Sequence, residues 1–79
     1  MSTRQISPKD FDYSKLRGKI TERFGNQRAF GKFLGKSDTY VTRYLTGLSE
    51  FSQSIIFFWA EALKIEPTEF NEYFFCLKS

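Results

Sequence analysis

Asp38, Thr39, Thr42 and Arg43 fall at offsets of one, three and four residues, so a helix carrying them would present much of the set on one polar surface. The chemistry open to such a set is hydrogen bonding. Arg43 offers the planar fork that fits guanine O6 and N7, Thr39 and Thr42 each pair a methyl with a hydroxyl for a thymine methyl or a base edge, and Asp38 can accept from cytosine N4. Asp38 has an equal reading as an acid favoured by the positive end of a helix. Asn26, Gln27, Arg28, Lys32, Lys36, Ser37 and Thr46 are placed to contact phosphate, with backbone amides at a helix start adding to that anion site. For every one of these side chains the plainer reading is a helix cap or a solvated surface.

These residues need two short helices around a tight turn. Asn26 can cap a helix over residues 26–34, Gly35 supplies the positive φ that ends it, and Ser37 can cap a following helix over residues 38–45, with Val41, Tyr44 and Leu45 pointing inward. Gly31 costs about 1 kcal/mol of helix propensity relative to Ala, which predicts a close crossing against the third helix. Gly31, Gly35 and Val41 together describe a helix-turn-helix: a close approach, a bend and an apolar plug.

Around this pair, Leu16, Ile20 and Phe24 recur every four residues and predict a first helix over residues 13–24, capped by Asp12 and ended by Gly25. Ser52 should cap a fourth helix over residues 52–63, with Ile55, Phe58, Trp59, Ala62 and Leu63 as its inward stripe. Glu66 and Pro67 start a fifth, since proline suits the first helical position, and Phe70, Tyr73 and Phe74 share one of its faces. Residues 75–79 read equally as a frayed turn or a short strand. The fold class predicted is all-α, a five-helix bundle in which helices 2 and 3 form the helix-turn-helix; residues 1–10 read as a flexible polar arm and 11–79 as one domain.

The composition narrows the function. There is no histidine and one cysteine, Cys76, so one chain cannot assemble a disulfide framework, a Cys/His zinc site or a Cys-His or Ser-His nucleophile. No carboxylates are paired by spacing for acid-base work. We therefore expect no enzyme, no cofactor, no metal and no small-molecule substrate. The N-terminus lacks a signal-type apolar segment and no apolar run spans a bilayer, so we expect a cytoplasmic protein with no membrane partner. Ten Phe among 79 residues give a small core the bulk it needs.

Charge is unevenly spread. Residues 13–47 carry eight basic side chains against two acidic, a net +6, whereas residues 48–79 carry two against five, a net −3. The basic half suits a polyanion.

On Asn26, Gln27, Phe30, Gly31, Leu34, Gly35, Ser37, Val41 and Gly47, followed by Ala62, Leu63, Lys64 and Ile65, the chain resembles the lambda-repressor and Cro superfamily of five-helix DNA-binding domains over about residues 13–74. Residues 11–20 (FDYSKLRGKI) and 72–75 (EYFF) look like short phage and prophage proteins of Gram-positive bacteria. The first resemblance implies a transcriptional regulator of repressor or Cro type that binds a palindromic double-stranded DNA operator as a dimer and blocks RNA polymerase in a bacterial host cell. Two residues depart from it. Lys36 stands where the superfamily usually has an apolar residue, and Leu45 where several relatives pair a glutamate with a first-helix arginine; Ile20 can meet Leu45 as an apolar pair.

A homodimer is the expected partner state, because paired recognition helices set half-sites about 34 Å apart. Phe57, with whichever of Tyr73, Phe75 and Leu77 the core does not absorb, is the expected interface; completion of a small core is the competing reading. A second functional reading is a phage antirepressor or modulator that uses its aromatic C-terminal half to bind another regulatory protein. Asp38 and the acidic half keep it open.

Overall fold

Local capping chemistry sets out the helices in order. In the computed structural model, which describes residues 10–78, they are α1 (Ser14–Phe24), α2 (Gln27–Leu34), α3 (Asp38–Leu45), α4 (Gln53–Leu63) and α5 (Phe70–Phe74), the last entered through a 3-10 turn at Pro67–Glu69. Asn26, Ser37 and Ser52 each accept, through the side-chain oxygen, a backbone N–H three residues on, satisfying donors that a helix start leaves orphaned. Glu66 and Glu69 form a reciprocal capping box around Pro67. The α1 start differs from expectation by one residue. Tyr13, buried, takes the cap position, and the Asp12 carboxylate accepts from the Ser14 backbone N–H (2.9 Å) and from its hydroxyl.

Two helix ends use the left-handed conformation. At Gly35 (φ 75°) the Lys36 N–H donates to the Gly31 carbonyl (2.8 Å) and the Gly35 N–H to the Lys32 carbonyl (3.1 Å). Lys64 adopts the same geometry (φ 60°) at the end of α4.

The core joins all five helices: Leu16 and Ile20 from α1, Phe30 and Leu34 from α2, Val41 and Leu45 from α3, Ile56, Trp59 and Leu63 from α4, and Phe74 from α5. Ile20 and Leu45 are thus both buried, and the Arg17 guanidinium adds a bond to the Leu45 carbonyl (3.1 Å). One expectation is corrected. The inward stripe of α4 is Ile56, Trp59, Ala60 and Leu63; Ile55 and Ala62 are half-buried and Phe58 is exposed. With residues 55–60 all apolar, no polar residue sets the phase of this helix. The Trp59 ring sets it instead, packed edge-on against Phe30 (5.0 Å) and Phe51 (4.9 Å).

The chain ends meet. Phe11 and Leu77 form a single antiparallel bridge, flanked by hydrogen bonds from Asp12 N–H to the Cys76 carbonyl (2.6 Å) and from Lys78 N–H to the Asp10 carbonyl (2.9 Å). The segment after α5 is therefore bridged rather than frayed. Asp10 belongs to the folded unit and not to the expected arm, whose residues 1–9 lie outside the described residues, as does Ser79. The exposed Lys15 and Glu72 pair (2.7 Å) ties α1 to α5. No helix is long and apolar enough to cross a membrane among the described residues.

At Gly31, α2 approaches the following turn closely. A Cβ on Gly31 would lie 3.0 Å from the Ser37 carbonyl oxygen and 3.3 Å from that of Lys36, so the expected close crossing involves the backbone leading into α3. Gly31→Ala gains about 1 kcal/mol of helix propensity but overpacks a backbone contact at roughly 1–3 kcal/mol, a net loss near 1 kcal/mol. Thermal unfolding should fall by about 4–8 °C; a higher Tm would contradict the crossing. A second prediction concerns acid. The Ser14 hydroxyl, then its backbone N–H, hold the Asp12 carboxyl below its ordinary 3.8, so this stabilisation is full above that value and is lost as pH falls through the lower folded value. Asp12→Asn should therefore differ from the parent chain in urea midpoint at about pH 5 and converge toward it near pH 2; a constant difference would contradict the assignment.

Candidate functional site

Val41 and Leu45 draw one side of α3 into the core, which leaves Asp38, Thr39, Thr42 and Arg43 on the exposed side. The sequence reading placed these four together, and the fold does bring them to one surface. Their surroundings differ. Among the described residues Asp38 and Thr39 have no side-chain hydrogen bond, whereas Thr42 donates to Gln27 Oε1 (3.3 Å) and Arg43 Nε to Ser49 Oγ (3.4 Å). Through this bond Gln27, at the start of α2, links the two helices across their exposed edge.

The residues expected at phosphate divide into three kinds. Asn26 and Ser37 spend an acceptor oxygen on their own helices, at 2.7 Å from Ala29 N and 3.2 Å from Tyr40 N; the Ser37 hydroxyl still has a hydrogen to donate. The Thr46 hydroxyl is turned back to the Thr42 carbonyl (2.8 Å). Arg28 and Lys32 are exposed, and Lys36 lies over the Tyr40 ring at 5.5 Å from its centroid. That contact explains how a basic residue is accommodated at an apolar turn position: its stem and charge rest on an aromatic face. Burial first, then neighbouring Tyr40, pushes the Tyr44 phenol up, so it is neutral at physiological pH.

Three features were missed by the sequence reading. Ser49 steadies Arg43, helped by the Leu48 and Ser49 N–H groups, which both donate to the Arg43 carbonyl (2.9 and 3.0 Å). Leu48 is exposed beside this face. Phe33, an apolar residue on α2, is 64% exposed and touches the Phe24 ring at 5.0 Å. Loop positions such as 48 and 49 carry no periodic signal. Phe33 lies one turn from Phe30, yet it borders an open pocket with Phe58, Glu61, Ala62 and Lys64.

A second surface lies on α4 and α5. Phe51, Gln53, Ile56, Phe57, Phe70 and Phe75 line an open cleft of about 270 Å³. Phe57 is half exposed and meets Phe70 edge-on at 5.4 Å, and Phe75 meets Phe11 at 6.0 Å. Of the residues expected at a dimer interface, Phe57, Phe75 and Leu77 are exposed; Tyr73 is packed against the core and leaves the patch. Among the described residues no group of three or more His, Cys, Asp or Glu is placed to hold a metal ion. The two surfaces thus differ in chemistry: exposed polar and basic side chains on α2 and α3, aromatic rings on α4 and α5.

A family model described as "Protein of unknown function (DUF739)" matches residues 9–76. Among solved structures, the solution structure of the modulator of repression (MOR) of the temperate bacteriophage TP901-1 from Lactococcus lactis is similar to this chain, with 31% identity and a TM-score of 0.69, covering 84% of this chain and 89% of that one. No curated protein matches.

The caps make a prediction that must precede any binding study. Asn26→Ala and Ser37→Ala should each lower the free energy of unfolding by about 1 kcal/mol, and Asn26→Asp should retain most of the stability. Urea unfolding measures this, and an unchanged midpoint for both Ala variants would show that neither side chain caps its helix.

Proposed function

The chain belongs to the DUF739 family, and we propose that it is a phage regulatory protein that binds another regulatory protein and so adjusts repression. The observation that carries this reading is the likeness, over most of both chains, to a protein named as a modulator of repression. The surface of α4 and α5 supports it. Its aromatic cleft is open, and the half of the chain that builds it carries a net −3, unsuited to a polyanion but compatible with a protein partner. In this reading Phe57 and Phe75 are anchors whose burial supplies affinity, while the charges around them set specificity.

A second reading is favoured by one observation: the exposed polar face of α3 within the basic half. On this reading Arg43, Thr39 and Thr42 read base edges in the major groove as a Cro-type repressor would, two copies pair on an operator, and Gln27, Arg28 and Lys32 hold phosphates. Asp38 weighs against it, since its carboxylate would stand near the same phosphates.

The two readings separate by experiment. Calorimetric titration with purified repressors of temperate phages should give a one-to-one complex at micromolar affinity or tighter, weakened by about 2 kcal/mol or more in Phe57→Ser and little changed in Arg43→Ala. Selection from random duplex DNA at about 0.15 M salt should enrich no sequence. A palindromic consensus that Arg43→Ala weakens by roughly 1–3 kcal/mol, with no repressor bound, would overturn the proposal in favour of the second reading.

A further inference from the structure

The two halves of the chain carry complementary features. In the basic half, Phe33 stands exposed at the end of α2, with exposed Lys32 and Lys36 beside it in the chain. It opens onto the side of α4 that bears Phe58, Glu61, Ala62 and Lys64, a different face from that of Phe57, so it is not the occupant of its own molecule's cleft. In the acidic half, the cleft of Phe51, Phe57, Phe70 and Phe75 has Glu50 and Glu69 as chain neighbours, and residues 48–63 contain no Lys or Arg. Small-molecule pockets usually run to about 300–1,000 Å³; at about 270 Å³ this cleft suits one anchoring side chain.

We propose that copies of this chain associate head to tail, the Phe33 ring of one seated in the aromatic cleft of the next, with Lys32, adjacent to Phe33, set toward the acidic half of that neighbour. Apolar shape and opposite charge then coincide at one contact. A knob and a cleft on different surfaces make a heterologous interface, which closes into a ring or grows, unlike a two-fold pair. One aromatic ring buries about 150–250 Å², against roughly 800 Å² per partner in a stable complex, so association is weak and rises with concentration; its ionic part weakens in salt. The cleft is the same one assigned above to a regulatory partner, so self-association would compete with that partner. The test below contains no second protein, and the two proposals fail separately.

Sedimentation equilibrium should show a weight-average mass above one chain that grows between about 10 µM and 1 mM at about 0.05 M salt and falls at about 0.5 M. Phe33→Ser and Phe57→Ser, both changes at exposed rings, should each be monomeric. Mixing the two variants in equal amounts should restore a dimer and nothing larger, because the first retains the cleft and the second the knob. Should Phe57→Ser lower Tm, Phe75→Ser takes its place. A monomer at every concentration, a dimer that survives Phe33→Ser, or failure of the mixed variants to pair would each overturn the proposal.

Discussion

The orientation of α4 depends on where one side chain, Trp59, is buried. It has no exposed surface and lies among Phe30, Tyr40, Tyr44 and Phe51, with ring centroids 4.9 to 6.3 Å away, so it joins α2, α3 and the segment leading into α4. Among the described residues its buried Nε1–H meets no hydrogen-bond acceptor, so Trp59 is held by aromatic packing. Once Trp59 faces inward, helical geometry turns Phe57 and Phe58 outward. The exposed aromatic surface is therefore a consequence of how the core is filled.

Much of the backbone was legible because its signals are local. Asn26, Ser37, Ser52 and the Glu66-Pro67 pair announce helix starts through the hydrogen bonds they can make, and Gly25 and Gly35 announce stops through positive φ. The phase of α4 was not legible. A run of six apolar residues contains no contrast from which a buried face can be read, and only the fit of Trp59 between three other elements chooses it. The candidate site divides in the same way. The polar face of α3 follows from spacing alone, whereas the steadying of Arg43 by Ser49, the exposure of Phe33 and the shape of the α4 and α5 cleft require tertiary contacts.

Charge and apolar exposure combine differently on the two surfaces. On α3, polar groups are held by short links to neighbours, Thr42 to Gln27 and Arg43 to Ser49, and apolar exposure is limited to Leu48. On α4 and α5 the order is reversed: aromatic rings line a cleft and the charges are acidic. A surface of the second kind gains most from an apolar anchor, because burying rings returns far more free energy than an exposed ion pair. This difference is why we propose a protein as the partner of the chain, with the contact on α4 and α5.

The most direct measurement is a map of that contact. Backbone amide shifts of the isotopically labelled chain, followed while an unlabelled phage repressor is added, should move at Phe51, Ile56, Phe57, Phe70 and Phe75 and stay in place along α3. Shifts confined to Thr39, Thr42 and Arg43 would contradict the account.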